Sequence, residues 1–184
     1  LTSGQFLLVY QLLSITIASM GAAFIFFVLA RTQVGERYRP ALLVSAIVVA
    51  VACYHYVRIF NSWTEAYELT ASGYAATGTP FNDAYRYADW VLTVPLLLVE
   101  AVAVLALAPN IAGGMIARLA LAAFIMIVTG YPGEISSDTG TRLLWGTIST
   151  IPFLYILYVL WLELGKAMDK QPLPGMRAEN SPAH

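Results

Sequence analysis

Five long apolar runs separated by short polar links dominate the chain. They extend roughly from Gln5 to Leu29, Ala41 to Trp63, Phe81 to Leu107, Ile111 to Tyr131 and Leu143 to Leu164. Crossing about 30 Å of hydrocarbon takes a helix of about 20 mostly apolar residues, and every run meets that length. The links fall at Arg31 to Pro40, Thr64 to Pro80, Ala108 to Asn110 and Pro132 to Arg142. The pattern predicts an all-α membrane protein of five transmembrane helices, one unit over residues 1–170, with no internal repeat. The stretch 171–184 holds three prolines and no apolar run, so it is expected to be a disordered cytoplasmic tail.

Composition strengthens the membrane assignment. Of 184 residues, 59% are hydrophobic and 11% charged, against about 25% charged in a soluble domain. Net charge is near zero with no basic stripe, which gives no reason to expect nucleic acid, and no metal site or enzymatic activity is predicted. The lone cysteine, Cys53, sits in an apolar helix and is expected to be a plain buried thiol. The chain opens on Leu1, and its first apolar run lacks the cationic start and small-residue cleavage site of a signal peptide. An incomplete or processed start is expected.

Lysine and arginine accumulate in cytoplasmic loops. Alternating helices put Arg31, Arg37, Arg39, Arg118, Lys166, Lys170 and Arg177 on one side, and Glu65, Glu68, Asp83, Glu134 and Asp138 on the other with Arg142. The expected topology is a multi-pass protein of the plasma membrane with its N-terminus outside.

Charges within a span cost about 3 kcal/mol each on insertion scales, so they are functional candidates. The third helix holds Arg86, Asp89 and Glu100. At 100° per residue, these three share a stripe of about 80° with Thr93 and Leu97. Asp89 and Glu100 lie about 16 Å apart along the axis, too far to touch, as two stations of a relay would. The alternative is that such charges only hold helices together. Glu100 is ringed by Leu96, Leu97, Leu98, Val99, Ala101 and Val102 with no cation in view, which marks it as a proton donor. His55 lies eight positions before Trp63 and Asp89 eight after Phe81; this equal depth permits a hydrogen bond between them. Arg58 is expected to be an interfacial anchor.

Trp63, Tyr67, Tyr85 and Tyr131 fall at one membrane boundary, and Tyr158 and Trp161 at the other, as belt aromatics do. Trp90 and Trp145 lie deeper, each beside a polar or small residue that would leave room for a flat ligand. Gly130 and Gly146 could equally serve helix packing. Pro95 and Pro152 imply local bends, which membrane helices tolerate.

The stretch Arg86-Tyr-Ala-Asp-Trp-Val-Leu-Thr-Val-Pro-Leu-Leu-Leu-Val-Glu100 resembles the third-helix signature of retinal-binding microbial rhodopsins. Tyr54-His-Tyr-Val-Arg-Ile-Phe-Asn-Ser-Trp63, Gly130-Tyr-Pro-Gly-Glu-Ile135 and Trp145-Gly-Thr-Ile-Ser-Thr-Ile-Pro-Phe153 narrow the similarity to xanthorhodopsin-like light-driven proton pumps, from about Gly4 to Lys170. The resemblance implies that Asp89 is the counterion and primary proton acceptor, His55 its partner, Glu100 the cytoplasmic proton donor, Thr93 the middle of the pumping triplet and Arg86 a gate toward the release path. It further implies a retinal pocket lined by Trp90, Leu97, Met126, Gly130, Trp145, Ser149 and Phe153. Leucine at position 97 goes with green absorption in similar pumps, and Gly146 stands where xanthorhodopsin-like proteins admit a carotenoid antenna. Sodium pumps, chloride pumps and sensory members carry other residues at the triplet.

The family has seven helices, with the retinal-linking lysine on the last. Here the only lysines are Lys166 and Lys170, about three turns from mid-membrane. The chain is thus expected to hold the first five helices and to lack that lysine. The partners implied are the lipid bilayer, protons and, for the complete molecule, further copies of itself. From another class, a non-pumping five-helix scaffold, a carotenoid-binding product or a sensory fragment are the alternatives.

Overall fold

The computed structural model describes residues 1–82, 84–104, 109–163 and 165–166. Asp83, Lys170, the end of the third apolar run and the tail 171–184 lie outside the described residues.

The five runs form α1 (Ser3–Ala30), α2 (Arg39–Ala66), α3 (Tyr85–Val104), α4 (Pro109–Glu134) and α5 (Thr139–Tyr158). A single 3-10 turn, Glu36–Tyr38, leads into α2, and a π-helical turn, Val159–Glu163, continues α5. All five are long and apolar enough to cross a membrane. Local chemistry sets their starts. Thr2 and Gln5 close a reciprocal capping box on α1, and Pro40 occupies the first turn of α2, where its missing N–H costs nothing. The Asp138 side chain accepts from the Thr141 amide at 2.7 Å to start α5. That cap brings the α5 start forward to Thr139 from the expected Leu143, whereas α3 begins at Tyr85 instead of Phe81.

Consecutive helices pack as neighbours, α1 on α2, α2 on α3, α3 on α4 and α4 on α5. Toward one end of the bundle Val102, Leu119, Ala123 and Val159 are wholly buried where α3, α4 and the continuation of α5 meet. Much of the remaining apolar surface is outward. Leu8, Ile15, Leu29, Leu121, Leu143 and Ile151 are all more than half exposed, as lipid-facing side chains are.

The link Thr64 to Pro80 is not the plain loop expected of it. Tyr67–Thr70 (β1) and Gly73–Ala76 (β2) pair antiparallel, Tyr67 with Ala76 through Thr70 with Gly73. Leu1 joins the far edge of β2: its amino group donates to the Tyr74 carbonyl at 2.9 Å, and the Tyr74 amide returns a bond at 3.0 Å. Gly73 has φ of 121°, and a Cβ there would lie 2.7 Å from the Leu1 carbonyl oxygen, so glycine is required twice over. Beneath this hairpin Phe6 stacks on Tyr74 with centroids 3.8 Å apart and on Trp63 at 5.6 Å. Trp63, expected at the lipid boundary, is therefore a buried core residue, 7% exposed. Its ring ties α1 and α2 to the hairpin and to Phe81.

Candidate functional site

The polar stripe of α3 faces α2. Asp89 and Thr93, one turn apart, are 4% and 3% exposed, and Thr93 Oγ1 donates to the Asp89 carbonyl oxygen at 2.9 Å. Across from them, His55 on α2 brings Nδ1 to 3.8 Å from Asp89 Oδ1. The sequence permits a hydrogen bond here, and the structure corrects that to an ion-pair separation, because 3.8 Å is too long for one. His55 Nδ1 instead lies 3.0 Å from the Val51 carbonyl oxygen, the backbone acceptor one turn back. Asp89 Oδ1 is left buried with no hydrogen bond among the described residues. The equal-depth argument needs a physical amendment. Asp89 is only four residues into α3 while His55 is eleven from the end of α2, so the two meet because α2 projects beyond the start of α3, not because they lie equally far from their helix ends.

Arg86 lies one turn from Asp89 toward the hairpin end. Its Nη2 stands 3.4 Å from Glu134 Oε1 at the end of α4, and both side chains are about a third exposed. Arg58, read as an anchor, is more specifically held: Nη2 donates to the Tyr85 hydroxyl at 3.0 Å, and the guanidinium lies 4.9 Å above the Tyr85 ring.

At the other end of the stripe, Glu100 has a partner that sequence reasoning missed. Ser45 on α2, 6% exposed, places Oγ 2.6 Å from Glu100 Oε1 and 3.1 Å from the Ala41 carbonyl oxygen. A signal for it existed: Ser45 is the one hydroxyl in the first half of α2 and the one polar residue in the run from Pro40 to Ala52, ten residues before His55. α3 thus presents two acids to α2, one beside an imidazole and one beside a hydroxyl, and each polar pair crosses the same helix contact.

The other site residues fall on α3, α4 and α5. Trp90 and Leu97 lie one heptad apart on α3 and are 37% and 47% exposed; Phe153 on α5 is 45% exposed. Met126, Trp145 and Ser149 are half-buried. A Cβ on Gly130 would lie 3.6 Å from the Tyr87 ring and 3.8 Å from Ser149, whereas one on Gly146 would meet nothing within 4 Å. Gly130 therefore sits at a close α3–α4–α5 approach, and Gly146 opens outward. Cys53, expected buried, is half-buried, with its thiol directed at the Ile17 carbonyl oxygen at 3.6 Å.

Five lipid-exposed helices enclosing paired intramembrane acids define a polytopic membrane protein with protonatable groups inside its span. The chain belongs to the bacteriorhodopsin-like protein family, whose family model matches residues 8–179; it is a microbial rhodopsin. It is similar to the green-light absorbing proteorhodopsin of a gamma-proteobacterium, 31% identical over 163 residues that cover 88% of this chain and 59% of that protein. Among solved structures, it is similar to thermophilic rhodopsin at 51% identity with a TM-score of 0.91, covering 95% of this chain and 70% of that one. Xanthorhodopsin, described as a light-driven ion pump with dual chromophore, is 52% identical with a TM-score of 0.89, covering 94% of this chain and 69% of its own. The chain therefore spans about three fifths of the length of the curated relative, and rhodopsin neighbours form seven-helix bundles.

Proposed function

We propose that the whole protein of which these 184 residues form part is a light-driven outward proton pump that uses retinal. The observation that carries this reading is the pair of acids on α3, Asp89 facing His55 and Glu100 facing Ser45, at two depths of one buried stripe. Family membership supports retinal as the chromophore, and three features of the chain fit it. Asp89 Oδ1 is a buried acceptor in need of a donor. Trp90, Leu97 and Phe153 offer apolar surface for a polyene. Met126, Gly130, Trp145 and Ser149 would complete the pocket. Lys166 follows the π-helical turn at the end of α5, opposite the helix ends near which Asp89 lies, so the covalent link is assigned to a lysine outside these residues.

When bound, retinal would supply light absorption, and the nitrogen whose proton can leave and return would be that of the lysine it is linked to. Asp89, whose Oδ1 is buried without a hydrogen bond among the described residues, would hold the proton released on the chromophore side, with the His55 imidazole 3.8 Å away as its polar neighbour. Thr93 fixes the turn of α3 that holds Asp89. Arg86, paired with Glu134 toward the hairpin end, guides release on that side. Glu100 gives up a proton from the opposite side, and the Ser45 hydroxyl turns to donate to the carboxylate left behind. Charge asymmetry supports the direction: the positive-inside rule assigns the hairpin face to the outside and the Arg31 end to the cytoplasm of a plasma-membrane protein. Gly146, with open space beyond it, is assigned to a carotenoid antenna by the likeness to xanthorhodopsin. Homo-oligomers are the proposed assembly.

The test is illumination of cells expressing the whole protein supplied with retinal. The medium acidifies, an uncoupler abolishes the change, and Asp89→Asn abolishes it in protein that still folds. An unaltered light response in Asp89→Asn overturns the reading.

A further inference from the structure

On the side of α1 and α2 away from α3, two cavities of about 180 and 310 Å³ follow one another along the helix pair. Their α2 walls are Leu42, Leu43 and Ala46 in the first and Ala50, Cys53, Tyr54 and Val57 in the second, which at 100° per residue fall within one stripe of about 120°. Ser45 and His55, directed at α3, occupy the other side. From Leu43 to Val57 the groove runs about 21 Å, longer than the roughly 15 Å of hydrocarbon in one leaflet, so it can hold one acyl chain down to the midplane. Gly21 deepens it, since a Cβ there would meet nothing within 4 Å.

The mouth of the groove is charged. Arg31 lines it at the end of α1, beside Thr32 and Leu42. Its neighbours at this membrane edge are engaged: Arg39 lies 3.3 Å from Glu36, and the Arg37 guanidinium stacks 4.9 Å above Tyr38. Arg31 has no side-chain acceptor among the described residues. A guanidinium at headgroup level above an apolar slot one chain long is complementary to a phosphate ester bearing an acyl tail.

We propose that the α1–α2 groove is a binding site for one anionic phospholipid, its headgroup on Arg31 and one acyl chain along Ala46, Ala50 and Gly21. The site is separate from the α2–α3 acids, and it holds whichever leaflet faces Arg31.

The test uses the protein in nanodiscs containing phosphatidylglycerol or phosphatidylcholine that carries the same acyl-chain diazirine, with cross-links mapped by peptide mass spectrometry. Groove residues are labelled about fivefold more by the phosphatidylglycerol probe, the factor expected for one cation near a lipid surface. Arg31→Gln brings the ratio to about one, Arg31→Lys retains it, and Lys166→Gln, on the same membrane side but outside the groove, leaves it unchanged. Equal labelling of the unaltered protein by the two probes overturns the proposal. So does a preference that survives Arg31→Gln, or a groove unlabelled by either probe because a second copy covers it. Should Arg31→Gln fail to fold, the two-probe comparison and Arg31→Lys decide alone. Loss of proton pumping would leave all these outcomes untouched.

Discussion

A hydroxyl carries one proton, and Ser45 has two oxygens within reach of it, Glu100 Oε1 at 2.6 Å and the Ala41 carbonyl at 3.1 Å. Both cannot accept at once. With a protonated Glu100 the carboxyl donates to Ser45 and Ser45 donates to Ala41; with a carboxylate, Ser45 turns to Glu100. Either way the contact is satisfied, which suits a group proposed to lose and regain a proton inside a membrane. Ser45→Ala removes the partner of the carboxylate form, where a hydrogen bond to a charged group contributes about 1.5–3 kcal/mol. In the whole, retinal-loaded protein this variant should slow proton donation about tenfold or more while leaving the visible absorption band in place, and Ser45→Thr should restore the rate. Flash photolysis measures both. The two acids could be singled out from sequence because an intramembrane charge is anomalous wherever it falls. Ser45 left a weaker signal, a single hydroxyl in the first half of α2, because a serine in a membrane helix ordinarily bonds its own backbone, and only the packing of α2 on α3 reveals its second oxygen.

At the scale of elements, apolar run length located all five helices, since crossing hydrocarbon imposes one length on each. Their ends depended on polar details that hydropathy does not weigh. The Asp138 cap extends α5 backward, and the hairpin between α2 and α3 was hidden in a link of mixed character. Its strands are four residues each, too short for alternation to stand out, and Gly73 is explained by the approach of Leu1 from 72 residues away. The cap itself is testable by pH. Asp138 is held below the ordinary carboxylate range, first by the Thr141 amide and then by the Thr141 side chain. A depressed folded-state value means that the contribution is complete above about pH 4 and is lost as pH falls through the lower folded value. Amide exchange at Thr141, compared with Asp138→Asn at each pH, should show protection that declines only below about pH 4. A decline centred near pH 6 would mean that another group controls the α5 start.

For the whole molecule, the decisive quantity is how much of the proposed chromophore pocket these five helices supply. Trp90, Leu97 and Phe153 keep more than a third of their surface open, and Gly146 meets no neighbour, so the pocket residues line a wall rather than an enclosure. Asp89 is by contrast buried against His55, which means the Asp89–His55 pair is built by α2 and α3, without help from a closed pocket. Helix association in lipid rests on close packing and interhelical polar contacts, and the α2–α3 contact has both. The five-helix chain should therefore keep its α2–α3 pairing without forming a pigment. Mixed with all-trans-retinal in detergent or lipid, these 184 residues should give no visible band that borohydride abolishes, because the two lysines of the sequence lie at the far end of α5 or beyond it. Distance measurement between spin labels on α2 and α3 should meanwhile match that of the whole protein. A borohydride-sensitive band from the five helices would show that Lys166 or Lys170 reaches the site, and the assignment of the link to a residue elsewhere would fall.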